Sequence, residues 1–222
     1  MALGLSTGSG GDFNRTPIIK YDARAGRIFR VDRSQDGGGT WQTDNVEITQ
    51  DFQAIMDLEN IQVGWLHFPA GAAPSISVVK FGEAMPAKPS PDHKQGFRLL
   101  MKLGKTCGGD VREMASNAAV SIAGIDDLHT AYTEGSKANP GLVPVVKLKT
   151  TTAITKSGKD ASGKPQSSTN YQPVWEIVKW VERPAELAAG TAEPPAQAAQ
   201  AQQAAAPAQA VASSAADDDN EF

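Results

Sequence analysis

From Pro184 to Phe222 the chain contains no lysine and no arginine, and residues 185–216 are dominated by Ala, Gln and Pro. Leu187 and Val211 are almost the only branched apolar residues in that stretch, which has no aromatic. Such a segment buries too little apolar surface to offset the entropy of ordering it, so it reads as a disordered linker. Its alanines favour helix, but Pro194, Pro195 and Pro207 interrupt any long one. The folded body must therefore come from residues 13–183, one domain by length, because residues 1–12 are Gly/Ser/Thr-rich and are also expected to be disordered.

The same boundary divides the charge. The whole chain of 222 residues holds 21 Lys and Arg against 25 Asp and Glu, a net of -4. Six of the acids (Glu186, Glu193, Asp217, Asp218, Asp219 and Glu221) lie beyond Pro184, which leaves 21 against 19, or +2, for residues 1–183. A mildly basic body with an acidic tail suits a nucleic-acid binder with an interaction segment. The last six residues, Asp217-Asp218-Asp219-Asn220-Glu221-Phe222, put an aromatic beside four acids. An aromatic on a solvated linker has no core to enter, and it suits an apolar pocket of a partner ringed by cations.

In these features the chain resembles the OB-fold single-stranded DNA-binding proteins of bacteria and their phages. That family joins a DNA-binding domain to a low-complexity linker and an acidic tip ending in Phe. Asp217, Asp218, Asp219 and Phe222 match the bacterial tip, whereas Asn220 and Glu221 replace its Ile-Pro. The resemblance implies that residues 217–222 recruit replication or recombination proteins, with Asp217, Asp218, Asp219, Glu221 and Phe222 as the contacts. It implies DNA replication, recombination or repair as the setting, in the cytoplasm of a bacterial cell or phage-infected host.

The body reads as mainly β. Thr16–Tyr21 and Arg27–Arg33 flank a Gly-containing turn, and Gln35–Thr40 is a triple-glycine loop. Val46–Leu58 alternates, with Phe52, Ala54, Met56 and Leu58 on one face and Gln53, Asp57 and Glu59 on the other. Further strands are expected at Ile61–Phe68, Ser75–Phe81 and Phe97–Leu103, with a loop over Gly82–Gly96. Asp110 and Glu113 form a capping-box pattern ahead of helix over 110–135, whole or broken at Gly124. Val143–Lys156 and Gln172–Arg183 are the closing strands, joined by a long polar loop over Ser157–Tyr171. This order predicts an OB-fold-like five-stranded antiparallel barrel with one helical insertion and an added N-terminal hairpin. A six- or seven-stranded antiparallel sandwich is the alternative.

Binding single strands without sequence choice needs cations for phosphates and aromatic faces for bases. Arg27, Phe29 and Arg33 fall on one side of a strand and Arg30 on the other. Arg98 and Lys102 share a side opposite Phe97, Leu99 and Met101, and Lys80 precedes them. Lys147 and Lys149 share a strand side, Lys159 and Lys164 lie in the expected loop, and Tyr171 follows. Trp41 sits beside the glycine loop, while Trp175 and Trp180 fall on opposite faces of the last strand, so one of them should be external; Trp175 joins the candidate set.

Other chemistry is missing. Gly104-Lys105-Thr106 resembles the end of a phosphate loop, but position 99 is Leu99 where that motif needs Gly. Cys107 is the one cysteine, so no disulfide framework exists, and His67, His93 and His129 lack zinc-ligand spacing. Asp126-Asp127 reads as a helix cap rather than an acid/base pair. No run of about 18 apolar residues predicts a membrane span, and no basic start with an apolar core predicts a secretory signal. The expectation is a non-enzymatic protein without metal or cofactor, partnered by single-stranded DNA and, through its tip, by other proteins, with a homo-oligomer open. A phage structural or assembly protein, and a hydrolase or transferase with an unrecognised site, are the rival readings.

Overall fold

The computed structural model describes residues 16–159 and 163–190. The expectations for residues 1–12 and for 191–222, the acidic tip included, lie outside the described residues. In chain order the strands are β1 (Ile18–Asp22), β2 (Arg27–Gln35), β3 (Trp41–Glu47), β4 (Gln53–Met56), β5 (Gln62–His67), β6 (Ser75–Lys80), β7 (Lys94–Leu103) and β8 (Val111–Ser116). Helix α1 (Ala119–Ser136) follows, then the hairpin β9 (Val143–Lys159) and β10 (Pro165–Val181), and a short helix α2 (Ala185–Gly190).

The ten strands form one sheet in the order β10-β9-β4-β7-β8-β1-β2-β3, with β5 branching from β7 and β6 from β5. The pairing of β1 with β8 is parallel and all others are antiparallel. The sheet is thus mainly antiparallel, mixed and open, with twice the strand count expected of a five-stranded barrel. The N-terminal hairpin is not an appendage, because β1 extends the sheet beyond β8.

The alternation over 52–58 holds in its apolar half. Phe52, Ala54, Met56 and Leu58 are all buried. The single strand expected there is in fact two, because a turn at residues 49–51 separates β3 from β4 and Leu58 begins a 3-10 turn. Asp57, expected outside, is buried, because Arg183 pairs with its carboxylate and Asn60 Nδ2 donates to both its oxygens at 3.0 and 3.1 Å.

Residues 111–116 form a strand and not the first turn of a helix. Arg112 and Met114 alternate inward, and β8 is held by β7 on one side and β1 on the other. The capping-box residues serve as ion-pair partners, Asp110 for Arg112 and Glu113 for Arg98. Helix α1 then runs unbroken through Gly124, where a Cβ would come within 2.5 Å of the Pro173 carbonyl. Asp126 and Asp127 lie in its middle, so they are not a cap. The long polar loop expected over Ser157–Tyr171 is mostly ribbon: β9 and β10 pair from Lys159↔Pro165 to Val143↔Val181.

The core is made by inward residues of six strands (Ile19, Ile28, Ala54, Met56, Leu99, Met101, Met114 and Val146 among them), closed by Ile125 and Leu128 of α1. Each such side chain contributes about 1.5–3 kcal/mol on burial. The two ends of the sheet are also tied. The Tyr171 N–H of β10 donates to the Ala23 carbonyl in the β1–β2 turn at 2.7 Å, and the Tyr21 hydroxyl donates to the Tyr171 carbonyl at 2.8 Å. Burial, then the charge of Asp22, pushes the Tyr21 phenol up to about 12, so the hydroxyl stays protonated in this joint.

Candidate nucleic-acid interface

The register places the outward candidates on one surface. With Leu99 and Met101 inward, Arg98, Leu100 and Lys102 face out from β7, and Glu113 beside Leu100 faces out from β8. Gln53 and Lys147 pair across β4 and β9 on the same side. At the other end, Ile19 and Ile28 point inward, which leaves Lys20 and Phe29 paired on the outside.

Beyond that point β2 and β3 outrun β1 and continue as a two-stranded ribbon. Phe29, Arg33 and Trp41 fall on one face of it, through the pairs Phe29↔Glu47, Arg33↔Thr43 and Gln35↔Trp41. Asp36 fixes the bend, since its Oδ1 accepts from the backbone N–H of Gly38 and Thr40 at 3.0 and 2.8 Å. Trp41 is 67% exposed, the most exposed large apolar side chain among the described residues. Arg27 lies on this face, paired with Glu47 at 2.9 Å, and Arg33 is exposed. Arg30 points the other way and is engaged with Asp32 at 2.7 Å and the Cys107 carbonyl at 3.2 Å.

A second ribbon stands at the opposite end of the sheet. Pairing of β9 with β4 stops at Lys147, and farther out residues 154–159 and 165–170 pair only with each other. Between Val143 and Trp175 the sequence carries five lysines (147, 149, 156, 159 and 164) and one acid, Asp160. Lys147 pairs with Glu176 at 3.0 Å, and Lys149 is exposed where the β9–β10 register shifts. Lys159 ends β9, and Lys164 is exposed just before β10.

Between the ribbons the outward face is roofed. Helix α2 packs on β7 and β8, Leu187 is fully buried, and Glu186 accepts from Lys102 Nζ at 2.7 Å. Hydrogen bonding and charge from Lys102 lower the Glu186 carboxyl. Arg98 is half-buried, paired with Glu113 at 2.7 Å and with Gln62 at 3.4 Å. Lys80 is exposed at the end of β6.

Two aromatic candidates serve the fold. Trp175 packs its ring on Phe52 at 5.5 Å between centroids and borders the core. Tyr171 is the half-buried joint between the sheet ends. The reasoning that one of Trp175 and Trp180 must be external does not hold. A register irregularity between Ile177 and Lys179 interrupts the alternation, and Trp180 stacks on Tyr132 of α1 at 5.8 Å.

The aromatic series Phe81–His129–Tyr132–Trp180, with centroids 4.7, 5.8 and 5.8 Å apart, escaped the sequence reading. The i, i+3 spacing of His129 and Tyr132 was its one local signal. A cavity of about 370 Å³ lies between α1 and β10, lined by Leu128, Ala131, Pro173, Trp175 and Trp180. Cys107 is buried, its Sγ donating to the Asp51 carbonyl at 3.0 Å. His93 bridges Ser90 and Ser75. Among the described residues no cluster of three metal-ligating side chains occurs, and no helix is long and apolar enough to cross a membrane.

Comparison with protein-family models, curated proteins and solved structures found no match for the chain.

Proposed function

We propose that the chain is a non-enzymatic single-stranded DNA-binding protein of replication, recombination or repair, which coats exposed strands and recruits partners through residues 217–222. The observation that carries this reading is the pair of ribbons at the two ends of one outward sheet face. One presents Trp41 with Arg27 and Arg33, the other a lysine-rich arm. Exposed indole offers a stacking surface for any base, and the cations supply sequence-independent phosphate contacts.

The element order supports an OB-type barrel within the larger sheet. A first strand (β4–β5) is shared by β7 and β9, the pair β7–β8 follows, and α1 stands between β8 and the closing β9–β10 hairpin. The Tyr171–Ala23 bond between the sheet ends is consistent with a barrel completed by the N-terminal hairpin. In this reading α2 covers Lys102 until DNA displaces it.

Titrating intrinsic Trp fluorescence with oligo-dT at two salt concentrations tests the proposal. Quenching is expected, with affinity falling as salt rises. Absence of both binding and quenching at low salt would overturn it and favour the assembly-protein reading.

A further inference from the structure

Open strand edges are normally protected, because their unpaired N–H and C=O groups recruit other strands. Among the described residues three edges of this sheet are open, and two carry protection. β3 is polar throughout except Trp41 and Val46 and bears Asp44 and Glu47. β10 has Pro165 and Pro173, two register irregularities, and α1 packed against it. β6 has none of these. Its sequence is Ser-Ile-Ser-Val-Val-Lys, its pairing with β5 is regular over six residues, and its one charge is Lys80 at the end. Among the described residues, no backbone group outside β5 hydrogen-bonds to residues 75–79. Around this strand lie Phe68, Ile76, Phe81 and Met85, four of the eight exposed large apolar side chains among the described residues.

We infer that two copies of the chain associate through β6, pairing antiparallel about a two-fold axis so that the sheet runs on from one copy into the other. The occupant is a second copy because the strand complements itself. In an antiparallel ladder wide and narrow pairs alternate, so a two-fold axis must place one residue opposite its own copy. Centred on Ser77, the pairing sets Ile76 against Val78 twice, and Ser75 against Val79 twice. Centred on Val78, it would set Val78 against its own copy but Ile76 against Lys80 twice and Ser77 against Val79 twice, one apolar pair where the Ser77 register has two. The Ser77 register also separates the two Lys80 ammonium groups by six positions, roughly 20 Å, beyond the reach of like-charge repulsion at physiological salt. It brings Phe81 of each copy to the bend after β5 of the other, where Phe68 is exposed. Pairing consumes both edges, so the assembly closes at two copies. This inference does not depend on nucleic-acid binding.

Sedimentation of the full chain over micromolar to hundreds of micromolar concentrations should reveal a species of twice the chain mass. Ile76→Lys, at a position 37% exposed and therefore tolerant of charge, should weaken association about tenfold or more while leaving the far-UV spectrum and melting temperature unchanged. Ser77→Cys should form a covalent dimer on mild oxidation, since directly opposed residues lie within disulfide reach, whereas Ser34→Cys on the β2–β3 ribbon should not. Buried Cys107 does not compete. A chain that stays monomeric over the whole range overturns the inference. So does a dimer that Ile76→Lys leaves intact and Ser77→Cys fails to trap, or an open-ended polymer.

Discussion

Arg112 is the residue on which the middle of the sheet depends most for polar contacts. Its guanidinium is buried, donates to Asp110 at 2.9 Å, to Asp32 at 2.7 Å and to the Val31 carbonyl at 2.9 Å, and so ties β8 to β2 across β1. Arg112→Met should cost about 3 kcal/mol in chemical denaturation, because the Val31 carbonyl and Asp110 lose this donor and Asp32 keeps only Arg30. Burial alone would raise the Asp32 carboxyl, but hydrogen bonds and charge from Arg30 and Arg112 outweigh it and hold the group below its ordinary 3.8. A lowered carboxyl contributes stability above its unfolded value and loses it as pH falls through the folded one. Asp32→Asn should therefore flatten the acid side of a melting-temperature profile, with the difference from the parent chain shrinking as pH falls below the ordinary carboxyl range. Nothing in the sequence around Arg112 announced this role. Asp110 and Glu113 have capping-box spacing, and only the pairing with β7 and β1 shows that the segment is a strand.

Elements were legible wherever an apolar face repeated with period two. The alternation Phe97, Leu99, Met101, Leu103 located β7, and Asp22–Gly26 located the first turn. Only the far part of the β9–β10 arm, Ser157–Tyr171, reads as loop, because Ser157, Gly158, Gly163, Pro165, Ser167, Ser168 and Thr169 give neither face an apolar pattern. Threonine nevertheless favours the extended backbone, and the arm is held by its own ladder and by pairs such as Thr155–Thr169 at 2.9 Å. Helix α2 was hidden because its contact partners lie far earlier in the chain, as in Glu186 with Lys102, 84 residues apart. A helix of six residues anchored by Leu187 makes a weak roof, so Leu187→Ala should release it without unfolding the body. On the proposed function, Leu187→Ala should raise oligo-dT affinity several-fold and speed amide exchange in α2, with the main melting transition within about 1 kcal/mol of the parent. Unchanged affinity would mean that DNA does not use the β7 face.

At the scale of the molecule, the outcome rests on charge that is unequally shared, +2 in residues 1–183 and six acids beyond. The sequence made that split visible, but not the placement of the cations. Much of the central positive charge is already paired, as Arg98 with Glu113 and Lys102 with Glu186, so on the proposed function phosphate contacts fall to exposed cations such as Arg33 and Lys149. If residues 217–222 compete for those cations, deleting them should tighten oligo-dT binding at low salt. The gain should shrink as salt rises, because the screening length falls from about 10 Å at 0.1 M to about 3 Å at 1 M. A second variant separates charge from the aromatic anchor: Asp217, Asp218 and Asp219 to Asn with Glu221→Gln, keeping Phe222. Equal tightening by deletion and neutralisation would assign the competition to the acids. Tightening by deletion alone would assign it to Phe222, and no change in either would show that the tail and the ribbons act independently. The slope of log affinity against log salt, near -0.7 per phosphate neutralised on a single strand, should be steeper for the deleted chain, since cations once met by the tail would then meet DNA.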